Sequence, residues 1–181
     1  MSDVIGHVDF SFSPSLSLHG DPEDYHVEVT GKIMATPDEA PDDADPEPAG
    51  EIEMLLVRVA AAESDGVSLF QVFDSYDQGL HEVFCALFDK NEEIKTSLPF
   101  DSFAHELLVI RNLTLAPRYQ NTSLGSQVIE TAARFLVTMG LVVAYDDFGL
   151  STDDLKRVGF VKLASEGLLV WDGANKNPPL H

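Results

Sequence analysis

The chain has 181 residues, of which 44% are hydrophobic and 23% charged, so it is long enough for one domain with a sizeable buried core. Its formal net charge of −20 argues against nucleic acid as a partner, because phosphate backbones are bound by Lys and Arg. The same charge suits a cationic substrate or a basic protein partner, and it equally suits solubility or a salt-rich habitat. The sequence has no apolar run long enough to span a membrane.

The first residues and the cysteine content favour a cytoplasmic protein. The opening residues MSDVIGHVDFSFS contain neither a basic segment nor a continuous apolar one, so we expect no secretory signal. Cys85 is the single cysteine and cannot form an internal disulfide. Its apolar neighbours Phe84 and Leu87 predict a small buried residue, not a nucleophile.

The first half of the chain predicts two paired strands that flank an acidic loop. Val8 to Ser17 is either a strand or an irregular arm, and the better alternation over Tyr25 to Ala35 predicts a strand. Glu51 to Ala61 is its expected partner in a hairpin. Residues 37–51 hold seven acids, four prolines and no base, which predicts a mobile loop over about residues 37–50.

A long helix and a central strand are predicted next. Apolar residues recur every three or four positions over Val67 to Phe88, which predicts one helix with His81 on its polar face. Leu107 to Leu115 is an almost continuous apolar run typical of a central strand. Arg111 and Asn112 interrupt this run. A buried polar residue needs a hydrogen-bond partner, and Asn112 could find one in the backbone of a bulge in the strand.

The C-terminal part alternates helices with short strands. The helical spacing from Leu124 to Met139 predicts a helix with Gly140 at its C′ position. Ser151 or Thr152 can cap a second helix. A buried strand is predicted over Leu141 to Tyr145, and the second helix is expected to end at Val158 and Gly159. Phe160 to Leu163 and Leu168 to Trp171 are expected to form a hairpin, with Phe160 and Trp171 in the core. The tail at about residues 174–181 is expected to be frayed.

The polar loop from Gln120 to Ser126 is the best sign of a ligand. It links a strand to a helix through small residues, so backbone N–H groups at the helix start can hold phosphate oxygens. Ser123 can donate its hydroxyl to a phosphate, Asn121 tolerates a positive φ, and Gly125 leaves room for close approach. The alternative is an ordinary helix start capped by Thr122 or Ser123, with Gly125 incidental.

These residues resemble the signature of the GNAT superfamily of N-acetyltransferases, Arg/Gln-x-x-Gly-x-Gly/Ala after a strand and a Pro-x-Tyr. Pro117-Arg118-Tyr119 precedes the loop, Gln120 takes the Arg/Gln place and Gly125 the second Gly/Ala place. Ser123 replaces the first Gly. The family's closing Leu-Gly-Phe segment is similar to Leu155-Lys156-Arg157-Val158-Gly159-Phe160, and the resemblance covers roughly Glu51 to Asp172.

The resemblance implies one GNAT-like domain over residues 1–181, in the α/β (α+β) class, with a mixed, mostly antiparallel sheet flanked by helices. It also implies that acetyl-CoA lies where the central strand splays from the following one. Main-chain groups would meet the pantetheine and polarise the thioester, and the loop would meet the pyrophosphate. The residues implied in binding acetyl-CoA are Leu113, Leu115, Gln120, Asn121, Thr122, Ser123, Leu124, Gly125 and Ser126.

The activity implied is acyl transfer from acetyl-CoA to a small-molecule or peptidyl amine, which needs a base for the amine and an acid for the thiolate. Many family members use a Tyr as this acid at the place that Leu155 takes here. Tyr145, Tyr119 or an ordered water are the substitutes that we expect. Asp146, with Asp147, could bind a cationic amine or act as base, and the alternative for both is a solvated turn.

A second interpretation is a catalytically inactive GNAT-fold protein that binds a partner or ligand through its acidic surface. Leu155 and Ser123 favour it, whereas Gln120, Gly125 and the retained loop length favour the enzyme. No metal site is expected, because no His/Cys cluster has ligand spacing. Neither nucleic acid nor a membrane is an expected partner, and a homodimer is compatible with the sequence.

Overall fold

One sheet of seven strands organises the chain, with helices on both of its faces. The computed structural model describes residues 5–14, 20–37, 44–100, 105–137, 140–145, 148–163 and 167–173. The strands are β1 (Ile5–Pro14), β2 (His26–Thr36), β3 (Glu47–Val57), β4 (Glu106–Leu115), β5 (Gly140–Ala144), β6 (Val161–Lys162) and β7 (Leu169–Asp172). The α-helices are α1 (Val59–Asp65), α2 (Leu69–Asp74), α3 (Gln78–Leu87), α4 (Leu124–Leu136) and α5 (Thr152–Val158).

The sheet is antiparallel except at its centre. Its strand order is β1-β2-β3-β4-β5-β7-β6. β4 and β5 are parallel, and every other neighbouring pair is antiparallel. This architecture confirms the expected α+β class with a mixed, mostly antiparallel sheet flanked by helices. Within the described residues, no helix is both long and apolar enough to cross a membrane.

Alternating side chains of the strands build two separate hydrophobic cores. Leu108 and Ile110 of β4 pack on the face that carries α4 and α5. Leu107 and Val109 pack on the opposite face, against α1, α2 and α3. All four are completely buried, because β4 is a central strand with helices on both sides.

The long helix expected between Val67 and Phe88 is wrong, because the chain forms two helices there. α2 ends at Asp74 and α3 starts at Gln78. Ser68 accepts a hydrogen bond from the Gln71 amide and Asp77 accepts one from the Leu80 amide, so each helix has its own N-cap. The periodicity missed the break because apolar residues keep helical spacing on both sides of it.

Cys85 is exposed, so its expected burial is wrong. Phe84 and Leu87 on α3 do face the core beneath the helix. Cys85 follows Phe84 by one position, which is a rotation of about 100° around the helix. The thiol therefore points away from the sheet although its sequence neighbours are buried.

The hairpin around the acidic loop starts earlier than expected. β3 begins at Glu47, so the last residues of the predicted loop belong to a strand. β3 ends at Val57 and Arg58 is the N-cap of α1, so Val59 to Ala61, which were expected to continue the strand, lie in α1 instead. Residues 38–43, which hold most of the loop's acids, lie outside the described part of the chain.

Gly140 does not end a helix, contrary to expectation. α4 ends at Leu136 with Val137 as its C-cap, and Gly140 is the first residue of β5. A Cβ on Gly140 would lie 2.0 Å from the Glu106 carbonyl oxygen, so the glycine allows the close approach of β4 and β5.

The last third of the described chain confirms several expectations. Ser151 caps α5 by accepting from the Asp153 amide, and Gly159 ends it in the left-handed region at φ 104°. β6 pairs with β7 as the expected hairpin, and Phe160 and Trp171 are both buried in the core. Residues 174–181, the predicted tail, lie outside the described residues.

Replacing Gly140 with Ala tests the close approach of β4 and β5. We expect Gly140→Ala to lower the free energy of unfolding by about 2 kcal/mol, because the new methyl group overlaps a backbone carbonyl that cannot move without breaking the sheet. Gly66→Ala is the control, since Gly66 ends α1 at φ 73° with open space around it. Its cost should be about 1 kcal/mol. Urea unfolding of both variants measures the difference, and equal losses would contradict the close approach.

Candidate functional site

The candidate site lies where β4 separates from β5. The two strands pair only from Glu106 to Ile110 on β4 and from Gly140 to Ala144 on β5. β4 continues to Leu115, and over this second half it pairs with β3 alone among the described strands. On the β5 side of β4, no described strand pairs with residues 111–115, directly before the loop that leads into α4.

A β-bulge marks the point of separation. Ile110 lies opposite Met54 of β3 and Asn112 lies opposite Glu53, which leaves Arg111 as the extra residue in β4. Arg111 and Asn112 are both exposed, so their expected burial is wrong. The bulge is the physical reason, because it changes the alternation of side chains at this point of the strand.

Arg111 holds together three segments of the chain. Its guanidinium lies 2.5 Å from Asp77 Oδ2 and 5.0 Å from the centre of the Tyr76 ring. The Tyr76 hydroxyl donates to Glu28 Oε1 of β2 at 2.7 Å. Asp77 also caps α3 through the Leu80 amide at 2.8 Å, so the α2–α3 turn is tied to the bulge. We call Glu28, Tyr76, Asp77 and Arg111 the bulge cluster.

Tyr145 follows β5 directly and faces the same region. A Cβ on Gly79 of α3 would lie 2.9 Å from the Tyr145 hydroxyl oxygen, so this glycine leaves room for the phenol. Burial raises the pKa of Tyr145 to about 12, Asp77 and Glu82 raise it as well, and Arg111 opposes them. Tyr145 is a protonated phenol at neutral pH, as an ordinary tyrosine is, and the raised pKa makes it a weaker acid than an exposed tyrosine.

The sheet surface beside the bulge cluster is polar and mainly acidic. The strand register places Glu53 of β3 between Thr30 and Asn112, and Glu51 between Lys32 and Thr114. The helices α1, α2 and α3 do not cover these side chains, all of which are exposed. Glu28 extends the acidic surface towards Tyr76, so a cation near the bulge would meet several carboxylates.

The loop before α4 has the backbone that the sequence predicts. Asn121 has a φ of 65°, in the left-handed region that Asn tolerates. The Thr122 hydroxyl donates to the Tyr119 carbonyl at 2.7 Å and accepts from the Leu124 amide at 3.2 Å. Ser123 takes the N-cap position, but its hydroxyl accepts from the side-chain amide of Gln127 and not from a backbone N–H of the first turn. The Gly125 and Ser126 amides lie in the first turn, where a helix offers them no carbonyl of its own.

Two loop residues have intramolecular roles that the sequence did not predict. A Cβ on Gly125 would lie 2.4 Å from Leu150 Cδ2 and 3.3 Å from Leu115 Cδ1, so this glycine makes room for side chains of the core. The Gln120 side chain donates to the Leu115 carbonyl at 3.2 Å. Thus one carbonyl expected to face the pantetheine is already an acceptor within the chain.

The other two positions considered for the acid, Leu155 and Tyr119, are buried. Leu155 is only 3% exposed and belongs to the core. Tyr119 is buried, and its hydroxyl donates to Glu47 at 3.0 Å and faces the Ala35 carbonyl, near the far ends of β2 and β3. Tyr145 is the expected substitute that lies beside the bulge. Asp146 and Asp147 lie outside the described residues.

Sequence reasoning missed Glu28, Tyr76 and Asp77. The available signal was Asp77, which stands three residues before Leu80 and is a good N-cap residue. Treating residues 67–88 as one helix hid this signal, and nothing local connects Tyr76 with β2 or β4. Only the packing of the α2–α3 turn against the sheet brings them together.

The comparisons with known proteins identify no family. No protein-family model matches the chain, and no curated protein sequence matches it either. Among the described residues, no group of three or more His, Cys, Asp or Glu side chains is arranged to hold a metal ion. The geometry at the bulge and at the start of α4 is therefore what bears on function.

The raised pKa of Tyr145 predicts how stability changes with pH. Because the folded state keeps this phenol protonated, its contribution to stability is complete below pH 10 and is lost as the pH rises from 10 to about 12. Tyr145→Phe should therefore reduce the fall of the unfolding free energy over that range, as measured by urea unfolding. An unchanged fall, together with more tyrosinate absorbance near pH 11 in the unmodified protein than in Tyr145→Phe, would contradict the raised pKa of this phenol.

Proposed function

We propose that the protein is an acyl-CoA-dependent N-acyltransferase that transfers an acetyl group from acetyl-CoA to an amine, as its resemblance to the GNAT superfamily implies. The observation that carries the proposal is the open edge of β4 next to the first turn of α4. The extended main chain of β4 lies there beside the first turn of α4, whose Gly125 and Ser126 amides have no carbonyl of the same helix to bond. An elongated ligand with an amide-rich arm and a diphosphate needs both features.

The residues present fit acetyl-CoA at these two places. The amides of Gly125 and Ser126 would hold the diphosphate, supported by the positive end of the α4 dipole. The main chain of Leu113 would face the pantetheine along β4. Gln120 and Leu115 fit less directly, because their mutual hydrogen bond must open before either contacts the ligand.

Acetyl-CoA supplies an activated thioester carbonyl, and the protein must position the amine and manage two protons. Tyr145 is our candidate for the proton donor to the leaving thiolate because of its position, with its hydroxyl beside Gly79 and within the electrostatic reach of Arg111 and Asp77. Asp146 remains our candidate for the base or for the amine-binding group. The carboxylates of Glu28 and Glu53 would attract an ammonium group to this side of the sheet.

Binding of acetyl-CoA is the first test, and Ser123→Glu is the variant that makes it specific. We expect micromolar binding in calorimetry, weakened about tenfold or more by Ser123→Glu, because a carboxylate at the N-cap repels the diphosphate. The same carboxylate suits the helix dipole, so the variant should keep its thermal stability. Gly125→Glu would be less informative, since its side chain also overlaps Leu150.

The matched control adds the same charge elsewhere. Gln71 is exposed on α2, on the opposite face of the sheet from α4, so Gln71→Glu should leave the affinity unchanged. Free CoA, titrated in parallel, shows how much of the affinity comes from the nucleotide and its phosphates. No heat and no thermal stabilisation at millimolar acetyl-CoA would refute the proposal.

Catalysis is tested separately from binding. In acetyl transfer to a panel of small and peptidyl amines, Tyr145→Phe should lower kcat about a hundredfold with little change in the KM for acetyl-CoA. Tyr76→Phe is the control, because it keeps the ring beneath Arg111 and removes only the bond to Glu28. Equal kcat values for Tyr145→Phe and the unmodified protein would remove Tyr145 from the mechanism.

The second candidate function is a non-catalytic protein of the same fold that binds a partner through its acidic surface. The buried Leu155 favours it, since a leucine in the core replaces the acid expected from the resemblance. The packing of Leu150 against Gly125 favours it too. Binding of acetyl-CoA without turnover of any amine would support this alternative over the enzyme.

A further inference from the structure

The solvent side of α2 and α3 carries a second group of chemically active side chains, independent of the bulge cluster. Cys85 Sγ lies 3.4 Å from His81 Nε2, one helical turn earlier on α3. The other ring nitrogen, His81 Nδ1, lies 3.1 Å from Asp74 Oδ1 at the end of α2. Thiol, imidazole and carboxylate thus form a chain in the order used to activate cysteine nucleophiles.

The position of Asp74 favours the tautomer of His81 that can act as a base. The contact of Asp74 with Nδ1 is not aligned as a hydrogen bond, but a carboxylate 3.1 Å away still favours a proton on that nitrogen by its charge. In this tautomer the lone pair of Nε2 is on the side of the thiol. The Phe70 ring packs edge-on against the imidazole, with 5.5 Å between ring centres, and limits its rotation. The His81 side chain is 28% exposed, so it is held in place but remains accessible.

Charges around Cys85 act in both directions. Lys95 Nζ donates to the Cys85 carbonyl at 2.5 Å, which places a cation in the last turn of α3 and offsets the negative end of the helix dipole. Asp74 is the acidic group on the other side of His81, and Glu82 bonds to Gln78 on the exposed surface of α3. The surrounding acids favour neutral or cationic reagents over anionic ones.

We propose that Cys85 is a nucleophilic thiol that reacts with low-molecular-weight disulfides, with His81 as its base and Asp74 as the group that orients His81. His81 Nε2 takes the thiol proton as Cys85 Sγ attacks one sulfur of the reagent. The reagent's S–S bond breaks, a new S–S bond joins the reagent half to Cys85, and the departing thiolate takes up the proton. Cys85 is oxidised and the departing half is reduced, so electrons and atoms balance.

The product is a lasting mixed disulfide, because the chain has no second cysteine to displace the attached group. An external thiol must remove it. This outcome distinguishes Cys85 from the paired cysteines of oxidoreductases, which resolve such intermediates within the protein. The structure therefore assigns Cys85 as a reversible modification site on α3.

The test is the rate of reaction with dithiodipyridine, a neutral chromogenic disulfide, measured on the full chain between about pH 5.5 and about pH 9.5. The single cysteine makes the released chromophore report on Cys85 alone. We expect His81→Gln to slow the reaction about tenfold near pH 7, less than base catalysis typically contributes, because the site is open to solvent. Asp74→Asn should slow it less, since it disturbs only the orientation of His81.

The pH profile separates base catalysis from simple exposure. At about pH 9.5 bases from the solvent can take the place of His81, so the unmodified protein and His81→Gln should react at similar rates. His7→Gln, which replaces an exposed histidine of β1, is the control and should leave the profile unchanged. Circular dichroism checks that each variant is folded. Equal rates near pH 7 for the unmodified protein, His81→Gln and Asp74→Asn would overturn the proposal.

Discussion

The parallel pairing of β4 with β5 is the constraint on which the rest of the structure depends. Parallel neighbours cannot be joined by a tight turn, so the chain must cross from the end of β4 back to the start of β5. α4 makes this crossing, which places its first turn beside the last residues of β4. Because β5 stops at Ala144, level with Ile110, the second half of β4 is left open at the same place. The stretch of β4 that β5 does not pair and the position of the first turn of α4 both follow from the parallel pairing of these two strands.

The close approach at Gly140 begins this arrangement. The glycine lies against the Glu106 carbonyl, where any side chain would separate the two strands. Along β4, five residues after Glu106, the bulge at Arg111 interrupts the regular pairing with β3. The Arg111 guanidinium contacts Asp77 in the α2–α3 turn. The length of the paired segment, and therefore the position of the opening, is defined by a glycine at one end and a bulge near the other.

The charges of the bulge cluster matter more for position than for stability. The Arg111–Asp77 pair is about one third exposed on each side, and exposed ion pairs contribute little to folding free energy. The pair does connect the cap of α3 with the strand that borders the opening. Arg111 pairs with Asp77 and not with Glu28 or Glu53, so these two carboxylates keep the surrounding surface negative. This agrees with the net charge of −20 for the whole chain.

The sequence is sufficient to locate a helix or strand where the ends of that element carry recognisable residues, such as a cap or a terminating glycine. β4 and β5 were identified by apolar runs, and α5 by its Ser151 cap and Gly159 end, because such signals act within a few residues. Asn121 was identified in the same way as a residue that accepts a positive φ. The break between α2 and α3 was missed since the apolar spacing continues across it, and Gly140 was misassigned since a glycine suits both a helix end and a crowded strand.

The sequence by itself determined the class of fold, the strand–loop–helix unit at the candidate site, and the acidic character of the surface. Composition and short-range periodicity carry this information, because they depend on residues a few positions apart. Only the tertiary structure decided which side chains meet at the bulge, that Gly125 accommodates Leu150, and that Cys85 lies exposed beside His81 with Asp74 behind it. These contacts depend on how separate elements pack together, and no local pattern in the chain records that geometry.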